Sequence, residues 1–150
     1  MATAASILIG QAIERVLTVA LADLEMPVER ERYTPLTPRE LPRVVVLEDD
    51  DGLEEVYVGG AALRVVRLSV ECYADGATAA HSMSAIATLR DRCRVAIEAD
   101  RTLGGACLSL EIGEGDGSIG GRLALDVPEK SVARSHTTRV NAYYATQPAA

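Results

Sequence analysis

The run from Ala62 to Gly105 reads as a strand, a turn, a helix and a Gly-Gly break, and the rest of the chain must supply partners for it. In Val66-Arg67-Leu68-Ser69-Val70-Glu71-Cys72-Tyr73 apolar and polar residues alternate without a slip. That period of two belongs to a half-buried strand with Val66, Leu68, Val70 and Cys72 on its core side. Asp75-Gly76 then signals a turn. Beyond it Met83, Ile86, Leu89, Cys93 and Ile97 recur every three or four residues and so share one helical face. A strand feeding directly into an amphipathic helix buries both apolar faces by folding one onto the other.

The 150 residues suit one domain, 1–150, large enough to build a core without disulfide or metal staples. The chain has no Phe or Trp, so that core must come from Val, Leu, Ile and Ala. A net charge of −7, with Lys130 the sole lysine, argues against gripping nucleic acid by phosphate neutralisation. Cys72, Cys93 and Cys107 lie in apolar patterns without C-x-x-C spacing, so they read as small buried hydrophobes in a reducing compartment. Ile7-Leu8-Ile9 has no basic residue before it and charges soon after, which speaks against a signal peptide or membrane span.

Taken in order, Ser6 to Glu25 is expected to be a helix with Ile9, Ile13, Leu17, Ala20 and Leu24 as its buried stripe. Ser6 or Thr3 is its expected cap, and Pro27 its stop. Val28 to Tyr33 alternates charge and fits an exposed strand, a sheet edge or one side of a subunit contact. A loop with Pro35, Pro38 and Pro42 follows. Val44 to Leu47 reads as a short buried strand, Glu48 to Gly52 as an acidic turn, and Glu54 to Val58 as another short strand before Gly59-Gly60. After the second helix Gly104-Gly105 stops the pattern. Leu108, Leu110 and Ile112 then resume alternation. Gly113 to Gly121 holds five glycines in nine positions and reads as a mobile loop or a long hairpin tip. Leu123, Leu125 and Val127 suggest a strand. Thr137 to Ala145 is the last strand, with Val140, Ala142 and Tyr144 on one face, and 146–150 a frayed tail. The expected architecture is α+β: two helices on one face of a mostly antiparallel sheet, in the order α-β-β-β-α-β-β-β.

No assembled active site emerges. Glu48-Asp49-Asp50-Asp51 lacks the spacing and closing Glu of a calcium loop. His81 and His136 stand alone, outside any H-x-x-x-H or H-E-x-x-H context. Ser82 and Ser84 read as helix-start residues, and Cys93 lies on an apolar stripe where a thiolate is disfavoured. Gly113-Glu114-Gly115-Asp116-Gly117-Ser118 lacks the Lys and following helix of a phosphate loop. The expectation is a protein that is not an enzyme and uses no cofactor.

At Asp100-Arg101-Thr102-Leu103-Gly104-Gly105 a charged helix end leads through Thr-Leu-Gly-Gly into an alternating strand. With the N-terminal helix, the Leu41-Pro42-Arg43-Val44 strand entry, the long strand through Tyr73 and the ending Tyr143-Tyr144, this layout resembles the tail terminator (tail-completion, minor tail) proteins of long-tailed bacteriophages and gene transfer agents. The Gly113–Gly121 insertion and the Glu48–Asp51 run have no match in that pattern.

The resemblance implies a virion protein that forms a homo-oligomeric ring, typically a hexamer. Such a ring caps the head-proximal end of the tail tube, stops tube growth and offers the surface that joins the head. The implied partners are further copies of the chain, the tail tube protein and a head–tail connector or stopper protein; DNA only passes through the lumen, and no membrane is involved. The candidate interface residues are Glu29, Arg30, Glu31 and Arg32, with Asp49, Asp50 and Asp51 of the acidic run and Glu114 and Asp116 of the glycine-rich loop. Two alternatives stand beside this reading: another head–tail connector or completion protein, and a small cytosolic α+β ligand-binding domain.

Overall fold

A computed structural model describes residues 4–32, 34, 36–57, 59–75, 78–114 and 133–146. Helix α1 spans Ala5–Ala20 and α2 spans Ala79–Glu98. The strands are β1 (Val28–Arg30), β2 (Arg43–Val56), β3 (Ala62–Ala74), β4 (Ser109–Glu114) and β5 (Arg134–Thr146). They form one sheet in the order β1-β2-β3-β5-β4, antiparallel throughout except for the parallel β1–β2 pair. The fold is α+β, with both helices on one face of the sheet.

That helix-covered face carries the main core. Ile9, Ile13 and Leu17 of α1 and Ile86, Leu89, Cys93 and Ile97 of α2 meet Val44, Val46, Val66, Leu68, Val70 and Cys72 of the sheet, all buried. Each fully buried aliphatic side chain there contributes about 1.5–3 kcal/mol. At Gly10 a Cβ would stand 3.4 Å from Arg30 Cδ and 3.9 Å from Leu68, ordinary contact distances, so the packing of α1 on the sheet does not depend on glycine there. The opposite face has a smaller core of Leu36, Val45, Leu47 and Tyr73, with Leu41 packed against it. The proline loop that covers this end carries a turn of 3-10 helix at Pro38–Glu40 and a cis Leu41–Pro42 bond. This second core explains why the later alternates of the strand are buried too, whereas Arg67 stays exposed. Glu71 and Tyr73 lie under it, and the Tyr73 hydroxyl donates to the Glu71 carboxylate.

Several expectations need correction. The first helix ends at Ala20, and Ala22–Leu24 forms a separate 3-10 turn in which Leu24 is exposed. Its N-cap is Ala4 without a side-chain bond, so Ser6 is a helix residue, while Thr3 lies outside the described residues. On α2 the buried position is Ser82, whose hydroxyl donates to Thr78 O, whereas Met83 is exposed. Thr78 is the cap there, accepting from His81 N–H at 3.2 Å.

The largest correction concerns the acidic run. It is no turn, because Arg43–Val56 is one continuous strand that pairs with β3 along its length. Two register shifts, at Glu48/Asp50 and Leu53/Glu55, absorb the extra residues as bulges. The hairpin turns instead at Gly59 and Gly60, which take φ of 96° and 89°. The count of strands before α2 is unchanged, because β1 is a short edge strand as the charge alternation of Val28–Tyr33 allowed. Two strands follow α2 among the described residues. The expected strand at Leu123–Val127, most of the glycine-rich loop and the tail beyond Thr146 lie outside them.

The Asp100–Gly105 stretch is the connector from α2 to β4. Asp100 accepts from Thr102 N–H at 3.1 Å, from Thr102 Oγ1 at 2.8 Å and from Gly104 N–H at 2.7 Å. These bonds hold its carboxyl below the usual range, the Thr102 hydroxyl most of all. Leu103 is driven into the core at φ 51°, and Gly104 and Gly105 follow at φ 69° and 93°. Only glycine takes such angles without strain, so Gly-Gly is what the reversal requires.

Candidate interface surfaces

The sequence-selected interface residues fall into two clusters, and most of them are engaged within the chain. At the β1 edge Arg32 forks onto Glu40, bonds Glu29 at 3.2 Å, and stands near Arg43, which itself pairs with Glu29. The Arg32 hydrogen bonds, supported by the Thr37 backbone N–H, pull the Glu40 carboxyl down to about 2. On the helix side Arg30 bonds Glu14 of α1 at 3.1 Å. Glu31, at φ 58°, donates its N–H to Val46 O and accepts the Glu48 N–H at 2.8 Å. The charge alternation of 29–32 therefore closes the sheet edge and ties it to α1 and the proline loop.

The second cluster is the acidic run. The first bulge sets Asp49 and Asp50 on the face away from the helices, where Asp49 accepts from Ser69 at 2.7 Å and Asp50 pairs with Arg67 at 2.8 Å. Asp51 faces the helix side, accepting from Tyr144 at 2.7 Å and from Arg64 at 3.3 Å. Burial, helped by the Asp51 bond, pushes the Tyr144 hydroxyl up. Glu48 is raised too, first by burial and then by its neighbour Glu31. Glu114 ends β4 opposite Thr138, and Asp116 lies outside the described residues.

Sequence reasoning missed a different class of surface. Leu53, Val56 and Tyr57, at the distal end of the β2–β3 hairpin, are 56%, 60% and 46% exposed. On the outer side of the helix pair Val19 is 78% and Val95 66% exposed. A groove of about 430 Å³ runs there, lined by Ala20, Asp91, Arg92, Val95 and Ala96. The signal was present: Val19 and Val95 are apolar residues off the buried stripes of α1 and α2, and they fill no place in the core.

A second groove, of about 380 Å³, lies where the start of α2 meets the end of β3. Leu24, Met26, Pro42, Ala85 and Leu89 line it with Asp75 and His81. The three cysteines are buried. Cys72 and Cys93 stand 4.0 Å apart, and their mutual contact and burial push the Cys72 thiol up. Burial raises Cys107 to about 11. Among the described residues no group of three His, Cys, Asp or Glu side chains is placed to hold a metal, and no helix is long and apolar enough to cross a membrane.

No protein-family model matches the chain, and no curated protein matches it.

Proposed function

We propose that the chain is a structural subunit of a phage-like particle, forming a ring on the head-proximal end of the tail tube that ends tube growth and presents the head-joining surface. The observation that carries this reading is the Asp100–Gly105 connector, set in the same layout of N-terminal helix, long strand, second helix and final strand that the tail terminator resemblance implies. A small two-layer body suits the role, because side-by-side contacts around a cyclic axis close into a ring. Its partners are further copies, the tube protein and the connector or stopper, and its place is the tail–head junction of the virion. An acidic lumen lets DNA pass without sticking, in keeping with the net charge of −7; an assembled ring with a strongly basic lumen would count against that part.

The test is the mass of the purified chain, alone and with tube protein. A closed multiple near six subunits is expected, and a chain that never rises above a dimer in either condition contradicts the proposal. A second reading, ligand binding, draws on the apolar groove beside Asp75 and His81. Saturable binding of a small molecule that His81→Ala abolishes would favour it.

A further inference from the structure

From the exposed apolar patches and their charge we infer that the distal β2–β3 hairpin of one copy docks on the α1–α2 groove of a second copy, head to tail. The inference rests on the ring reading and names the contact that closes it. Leu53, Val56 and Tyr57 on the hairpin and Val19 and Val95 on the helices include the most exposed large apolar side chains among the described residues, and they belong to different elements.

Their charges differ in sign. From Glu48 to Glu55 the distal strand carries six carboxylates, against Arg64 and Arg67 on the paired strand. Arg90, Arg92 and Arg94 on α2 face two carboxylates, Asp91 of the same helix and Asp23, which takes Arg92, and Arg15 is exposed one turn before Val19 on α1. Hairpin against hairpin would set carboxylate runs together, and like charges across an interface cost several kcal/mol. Hairpin against helix groove matches acid to arginine and apolar to apolar. The small side chains of Ala20 and Ala96 leave the groove open enough to admit a hairpin side chain.

Such a contact is heterologous: each copy uses one surface forward and another backward. Heterologous contacts close into rings or run on as filaments, whereas a self-complementary patch stops at a dimer. Arg92 already forks onto Asp23 within the chain, and Arg90 and Arg94 share Asp91, so two arginines per carboxylate leave α2 with the positive excess that the incoming Glu54 and Glu55 meet.

Two variants test it. The hairpin variant carries Leu53→Ser, Glu54→Lys and Glu55→Lys; the helix variant carries Val95→Glu, Arg90→Glu and Arg94→Glu. Leu53, Glu54, Glu55 and Val95 are exposed and Arg90 and Arg94 half-buried, and unchanged circular dichroism and melting temperature show that each variant folds. With wild-type assembly measured by mass photometry beside them, each variant alone should stay monomeric, its self-dissociation constant raised at least about tenfold. Mixed together, the two retain one good surface each and should form a one-to-one pair and nothing larger. If both variants assemble as the wild type does, the docking assignment falls while the ring reading stands. If the helix variant assembles and the hairpin variant does not, the hairpin has another receiver and the assignment falls. Wild type that stays monomeric even with tube protein removes the ring reading and the docking together.

Discussion

The two halves of β2 belong to one strand and lead opposite lives. Val44, Val45, Val46 and Leu47 are fully buried, held by α1 on one face, by Leu36 and Tyr73 on the other, and by β1 along the edge. From Glu48 onward carboxylates replace valines and two bulges interrupt the register. No described strand pairs with the outer edge, and Leu53 and Val56 are exposed. Charges and bulges on an edge resist indiscriminate strand pairing. The first half holds the subunit together, and the second half leaves apolar side chains exposed along its edge. Apolar side chains kept on an otherwise charged edge are what needs a function.

The sharpest way to break this contrast is to truncate both halves. Leu47→Ala should destabilise by about 2–5 kcal/mol, because it removes buried contacts and leaves a cavity. Leu53→Ala should shift stability by no more than about 0.5 kcal/mol. Urea unfolding of both variants measures the difference, and comparable losses would erase the distinction between the halves.

Tyr73→Phe probes the second core at the end of the buried half. It takes the hydroxyl donor from the buried Glu71 carboxylate and should cost about 1–3 kcal/mol. An unchanged denaturation midpoint would mean that the carboxylate finds equal compensation elsewhere.

Gly105→Ala tests the connector. A Cβ there meets nothing within 4 Å, so any cost is backbone strain alone at φ 93°, about 1–2 kcal/mol. A neutral result would show that the reversal adapts to a non-glycine residue.

The smallest expected effect is acid sensitivity at the β1 edge. Glu40 is lowered from an ordinary 4.5 to about 2 by Arg32 and Thr37. Its stabilising contribution is full above 4.5 and is lost as pH falls from there toward about 2. Glu40→Gln should flatten that part of the stability profile, measured by urea midpoints across the window. A profile parallel to wild type would place the acid-sensitive group elsewhere.

Much of the architecture was legible because its signals were periodic. The alternation from Val66 to Tyr73 and the spacing of Ile86, Leu89, Cys93 and Ile97 named the core before any coordinates did. Val140, Ala142 and Tyr144 share a face, as their spacing required. The acidic run misled because four carboxylates beside a glycine mimic a turn, yet bulges let a strand carry them with Arg64 and Arg67 as cross-strand counterions. Met83 fits the apolar spacing, but the buried position goes to Ser82, whose hydroxyl donates to the Thr78 carbonyl at the helix cap. The charge alternation of Glu29–Arg32 leaves strand, edge and subunit contact open, because the partners Glu14, Glu40 and Arg43 that make it a sheet edge are distant in sequence and near only in the fold. Val19 and Val95 stand off the apolar stripes in the sequence itself, but periodicity alone does not tell a docking patch from a scattered surface hydrophobe.

Electron microscopy of particles assembled without this chain tests most directly whether it is a building block that ends and joins a tail. Tube-like tails of uncontrolled length standing apart from the heads are expected. Tails of normal length attached to full heads would contradict it.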